Sequence, residues 1–114
     1  MACMKTLITG ATGFLGGALA RRLHGLGWDV TALGRNPRAL ASLEANGIRT
    51  LQADLADESA IRAACVGQEI VFHSGALSSP WGRGEDFFRA NVLGTRNIVR
   101  GCQEAKIQRL VHVS

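Results

Sequence analysis

The chain has 114 residues, 46% hydrophobic and 19% charged, enough to bury one core and too apolar to stay disordered. Thirteen Lys and Arg against nine Asp and Glu give a formal charge of +4, but the basic residues are scattered. That distribution argues against a nucleic-acid partner and suits a small anionic ligand.

Met4 to Thr9 is an apolar run that stops at a glycine, and it predicts a first strand. A helix is expected from Phe14 or Leu15 to Leu26, with Leu15, Leu19, Leu23 and Leu26 on its inner face and Gly25 and Gly27 closing it. Asp29 to Gly34 reads as the second strand. Asn36 caps and Pro37 opens a second helix, which turns Leu40 and Leu43 inward and ends at Asn46-Gly47. Ile48 to Ala53 alternates apolar and polar residues as a third strand, with Asp54 at its end. Asp57 caps a short helix through Cys65, ended by Gly67, and Glu69 to His73 forms the fourth strand. After a loop rich in Ser and Gly, a long helix is expected from Glu85 to Ala105, and a last strand from Arg109 to Val113. Strands alternating with helices imply right-handed crossovers and a parallel sheet. The expected fold is α/β: one domain over 1–114, a doubly wound parallel sheet of five strands with helices on both faces.

Between the first strand and the first helix stands Thr9-Gly10-Ala11-Thr12-Gly13-Phe14-Leu15-Gly16. Gly10 permits the tight turn out of the strand, Gly13 lets backbone approach a pyrophosphate, and Gly16 lets the helix pack closely on the sheet. The helix start then offers unpaired N–H groups and a positive dipole end to phosphate. These are the parts of a Rossmann dinucleotide site. No Lys-Ser/Thr follows the glycines, so a P-loop is excluded.

With TGxxGxxG matched at Thr9, Gly10, Gly13 and Gly16, the chain resembles the short-chain dehydrogenase/reductase superfamily. The resemblance is to its extended branch of NAD(P)-dependent epimerases, dehydratases and reductases. The stretch from His73 to Asn97 most resembles the 3β-hydroxysteroid-dehydrogenase-like reductases. The resemblance runs over essentially all 114 residues but only over the first part of a family member.

An NAD-selective enzyme ends its second strand with Asp or Glu, and here Leu33-Gly34-Arg35-Asn36 supplies no acid. Arg35 offers a guanidinium where an adenosine 2′-phosphate would lie, with Arg38 one turn on, so NADP is preferred over NAD. The competing reading of Arg35 is a solvated cation or a plane stacked on adenine. The resemblance implies that the Asp54 carboxylate meets the adenine amino group while Leu55 covers the ring; the alternative for Asp54 is a cap for the next helix. By the same resemblance His73-Ser74-Gly75-Ala76 matches an HxAA segment, in which Ser74, Gly75 and Ala76 pass close to the cofactor. It likewise gives Asn91, in an Asn-x-x-Gly-Thr pattern, a supporting hydrogen-bonding role.

The superfamily transfers protons with a Tyr-x-x-x-Lys pair, and this chain contains no tyrosine. No catalytic residue is therefore expected in it, although Ser114 stands beside the expected catalytic Ser/Thr. The expectation is a domain truncated before the catalytic pair and the substrate region. Its parent would pass hydride between nicotinamide and a carbinol or ketone carbon, with the chain alone inactive. The alternative is a non-catalytic dinucleotide-binding regulatory module. Expected partners are the dinucleotide, a small substrate held by the missing C-terminal part, and a second copy in a homodimer.

Cys3, Cys65 and Cys102 have no metal-ligand spacing, so no metal is expected, and reduced thiols fit a cytoplasmic protein. No apolar run approaches the about 18 residues a membrane span needs, and glycines break the stretch that might pass for a secretion signal.

Overall fold

Five short strands, β1 (Lys5–Ile8), β2 (Asp29–Gly34), β3 (Arg49–Gln52), β4 (Ile70–His73) and β5 (Arg109–His112), make one parallel sheet in the order β3-β2-β1-β4-β5. The computed structural model describes residues 3–74 and 92–112. Between the strands run α1 (Phe14–Gly25), α2 (Pro37–Ala45), α3 (Glu58–Cys65) and α4 (Gly94–Glu104). The loop after Ser74, the expected helical residues 85–91 and Val113 lie outside the described residues.

The three central strands are apolar on both sides, as a parallel sheet covered on both faces requires. Ile8, Val30 and Ala32 point to one face, where Ala20 and Leu23 of α1 and Leu40 and Leu43 of α2 cover them. Leu7, Leu33 and Val71 point to the other face, against Ile61 and Cys65 of α3 and Ile98 and Cys102 of α4. Two cores, one on each side of the sheet, are the doubly wound arrangement expected from the alternation of elements. Cys65 and Cys102 are buried thiols within the second core, and only Cys3 is exposed. The neighbouring Cys102 thiol and burial push the Cys65 thiol up, so it stays protonated.

Helix α1 departs from the expected face. Leu23 is buried and Leu19 packs partly against the core, but Leu15 and Leu26 are 52% and 59% exposed. The buried residues are instead Gly16, Gly17, Ala20 and Leu23, a stripe roughly a quarter turn round the helix. Small residues win because the helix must come close to the sheet at its N-terminal end. A Cβ on Gly17 would stand 3.1 Å from the Ala11 carbonyl oxygen.

Helix ends follow their residues closely. Asn36 Oδ1 accepts from the amides of Arg38 and Ala39, and Asp57 Oδ1 accepts from Ala60 N. Gly27, Gly47 and Gly67 take left-handed φ values just after α1, α2 and α3. After α4 the same position falls to Lys106, with φ of 55° and a side chain that disfavours it.

β3 is one margin of the sheet. Ile48 just before it is 2% exposed, but Leu51 within it is 37% exposed, so the alternation buries less than a central strand would. Arg49 lies 3.9 Å from Asp29 on the neighbouring strand.

Lys106→Gly relieves the left-handed strain and is expected to stabilise the chain by about 0.5–1 kcal/mol. Urea unfolding of the two chains measures it; an unchanged midpoint would show that the turn after α4 carries no strain.

Candidate functional site

Because all five strands are parallel, the turns after β1, β2, β3 and β4 leave the same edge of the sheet. Between β1 and β4 the chain reverses its direction of growth across the sheet. Crevices at such a switch point are where open α/β sheets bind ligands.

The glycine turn is built by contacts that leave no room for side chains. Gly10 has φ of 65°, a left-handed conformation that suits glycine. A Cβ on Gly16 would meet the Gly10 carbonyl oxygen at 2.2 Å, and one on Gly13 would meet the same oxygen at 3.3 Å. Gly13 N donates to Gly10 O and Ala11 N donates to Leu33 O, which ties the turn to the end of β2. Thr12 packs over Gly34, where a Cβ would stand 2.4 Å from its methyl group. The glycine at the end of β2, which sequence reasoning passed over, is therefore part of the turn; its signal was a glycine closing an apolar strand.

Helix α1 opens without a side-chain cap: Gly13 is the N-cap residue, whereas α2 and α3 are capped by Asn36 and Asp57. Its first-turn amides and its positive dipole end face the crevice, and Phe14, 97% exposed, projects beside them. A turn with bare Cα atoms at Gly10, Gly13 and Gly16, with amides at its rim, fits a pyrophosphate.

The residues expected on the adenosine side lie at the same sheet edge. Arg35, just past β2, lies 4.0 Å from Asp54, just past β3, with both side chains more than half exposed. An exposed pair of this kind contributes about 0–1 kcal/mol, so it opens readily to a ligand. Asp54 Oδ1 accepts from Ala56 N in a local turn, while capping of α3 belongs to Asp57. Arg38 is exposed in the first turn of α2. Leu55 is the residue expected to cover the adenine ring. It is 8% exposed, part of the core, and so close to α4 that a Cβ on Gly94 would lie 2.9 Å from its own Cβ. Its carbonyl accepts from Asn97 Nδ2 at 2.7 Å, so its burial is fixed from both ends.

Thr9 is completely buried and turns its hydroxyl away from the glycine turn, toward β4. Thr9 Oγ1 lies 2.8 Å from His73 Nδ1 and accepts from Ser74 N, while Ser74 Oγ donates to Thr9 O. Among the described residues, the Thr9 hydroxyl hydrogen then has one acceptor, His73 Nδ1. On the other side of the ring, His73 Nε2 and Thr95 Oγ1 are hydrogen-bonded at 3.1 Å. His73 is 3% exposed and stacks on His112, with ring centroids 5.2 Å apart. Burial, and secondarily the His112 charge, lower its pKa to about 4. It is a neutral, hydrogen-bonded residue, and among the described residues no group of three or more His, Cys, Asp or Glu could hold a metal. Of the remaining site residues, Leu15 is half-exposed beside Phe14, and Gly75, Ala76, Asn91 and Ser114 lie outside the described residues. No helix among the described residues is long and apolar enough to cross a membrane.

Residues 6–114 match the family described as the NAD dependent epimerase/dehydratase family. The chain is 40% identical to the 2-alkyl-3-oxoalkanoate reductase of Stenotrophomonas maltophilia, over 97% of this chain and 33% of that protein. It is 29% identical to a 3-beta-hydroxysteroid dehydrogenase of Mycolicibacterium neoaurum, over 96% of this chain and 31% of that protein. A short-chain dehydrogenase/reductase superfamily protein from Agrobacterium tumefaciens, solved with bound NAD, superposes with a TM-score of 0.82. It is 29% identical, with 96% of this chain and 32% of that one covered. The chain thus spans about a third of the length of the curated relatives it matches.

Gly16→Ala is expected to destabilise the chain by about 1–3 kcal/mol, because its new methyl group meets rigid backbone. Gly25→Ala, on the same helix but with open space around it, is the matched control and should not destabilise. Equal unfolding midpoints for the two variants would remove the close approach. A second expectation concerns acid. Unfolded, His73 takes up its proton near pH 6.5; folded, it does so near 4. Stability is therefore intact above about pH 6.5 and falls as the pH drops toward 4, by about 3 kcal/mol from this residue. Comparing urea unfolding of wild type and His73→Asn between pH 7 and 4 isolates that contribution; parallel curves would refute it.

Proposed function

The chain belongs to the NAD dependent epimerase/dehydratase family, and from that premise we propose that it is the cofactor-holding part of a dinucleotide-dependent oxidoreductase, epimerase or dehydratase. One observation carries the reading most directly: a glycine turn in which Gly16 has no room for a Cβ, set at the uncapped start of α1. The first-turn amides of α1 bind the pyrophosphate, and the glycines bring backbone against it. The Asp54 carboxylate accepts from the adenine amino group, and Ser74, Gly75 and Ala76 border the ribose and pyrophosphate. Asn91 supports the site by hydrogen bonding to backbone.

Arg35 leaves Asp54 to make a bidentate contact with an adenosine 2′-phosphate, helped by Arg38, so NADP is preferred over NAD. The absence of an acid at the end of β2 supports that preference, since nothing there holds a free 2′-hydroxyl. When bound, the nicotinamide exchanges hydride with a carbinol or ketone carbon, and the role of these residues is to fix where its ring stands. Proton transfer by tyrosine must come from outside the 114 residues, which contain none. The similarity to a 2-alkyl-3-oxoalkanoate reductase and a 3-beta-hydroxysteroid dehydrogenase supports a carbonyl or carbinol substrate, held by the remainder of the parent protein.

Calorimetric titration of the chain with NADPH and, separately, NADH tests the reading. NADPH should bind more tightly, and Arg35→Ala should weaken it by roughly 10- to 100-fold while leaving NADH nearly unchanged. Arg35→Asp should reverse the order. Equal affinity of wild type for both cofactors would overturn the 2′-phosphate assignment.

A further inference from the structure

We propose that His73 is a positioning residue for the glycine turn, holding it through the Thr9 hydroxyl while anchored to α4 through Thr95. The proposal rests on the dinucleotide reading for its purpose but not for its geometry. Thr9 is the last residue before the turn, and its backbone is already committed: Thr9 N donates to Phe72 O, and Thr9 O accepts from Ser74 Oγ. The remaining freedom of the residue is its side-chain rotation, and the 2.8 Å contact to His73 Nδ1 fixes it. With Oγ1 held there, Ser74 N is satisfied as well, so one imidazole sets the starting points of the turns after both β1 and β4.

The far side of the ring is equally constrained. Nε2 meets Thr95 in the first turn of α4, two residues before Asn97, whose side chain holds the Leu55 carbonyl next to Asp54. His112 stacks on one face of the ring and keeps it from rotating. The turns expected to carry the pyrophosphate, the adenine and the nicotinamide ribose are thus referred to a single buried side chain. A histidine with both nitrogens occupied and 3% exposure has no free nitrogen to act on a ligand itself. It acts through Thr9.

The test uses the ¹⁵N-labelled chain with His73→Phe, which keeps ring shape and loses both hydrogen bonds, and His73→Asn, whose amide oxygen takes the place of Nδ1. Amide hydrogen exchange at Ala11 and Gly13 is compared with that of the β1–β2 ladder. His73→Phe should speed exchange at Ala11 and Gly13 about tenfold relative to the ladder, and His73→Asn should restore most of it. Should the Phe variant fail to fold, His73→Gln, which keeps the Thr95 contact and loses Thr9, serves in its place with the same expectation. Exchange that rises equally in turn and ladder, or an unchanged turn, would mean that His73 is a general packing residue and would overturn the proposal. Titration of the same samples with NADPH separates the two readings. A turn-selective effect in the variants, together with a wild-type chain that binds neither NADPH nor NADH, sustains the positioning role and sinks the dinucleotide reading.

Discussion

Helix α1 can stand on the end of β1 only because Gly16 has no side chain. Its Cα side faces the Gly10 carbonyl so closely that a single methyl group would sit 2.2 Å from the oxygen. From that approach the rest of the crevice follows. The turn must tighten at Gly10 into a left-handed conformation, and its amide at Ala11 reaches the Leu33 carbonyl at the end of β2. The start of α1 is thereby pressed against the rim of the sheet with its donors pointing outward. Thr12, carried by the same turn, needs the bare Cα of Gly34 beneath it. Bare Cα positions on two separate elements thus frame one turn, and enlarging Gly16 would push directly on Gly10.

The second half of the sheet meets that unit across β1 and β4, where hydrogen bonds rather than close packing take over. Thr9, His73, Ser74 and Thr95 hydrogen-bond to one another. Buried polar groups in such a cluster are costly when left unpaired and rigid when paired. The difference in chemistry follows from position. On the β2 side a helix must approach backbone, which only glycine allows. On the β4 side two turns and a helix must be aligned, which directional bonds do better.

Much of this was legible in the residues. The three glycines with Thr9 announced the turn, Asn36-Pro37 announced α2, and β2 was bounded correctly as Asp29–Gly34 because an apolar run sits between Gly27 and Arg35. What misled was the leucine spacing in α1: the periodicity named Leu15 and Leu26, while the close helix–sheet contact selected Gly16, Gly17 and Ala20. The packing of Leu55 was hidden in another way, since adjacency to Asp54 says nothing about Gly94 and Asn97, which hold it from about forty positions away. The His73 cluster was invisible for the same reason. Its partners sit 64 and 22 residues distant, and no local spacing brings them together.

The β3 margin has a consequence for how copies of the chain meet. An open strand edge is an invitation to add a foreign strand, and proteins blunt it with brevity and charge. β3 has four residues and begins with Arg49, whose guanidinium lies 3.9 Å from the Asp29 carboxylate on β2. A strand docking alongside would have to strip water from that cation or break its pairing, for very few backbone hydrogen bonds in return. Among the described residues, the strand's brevity and the Arg49 charge are what this margin sets against a foreign strand.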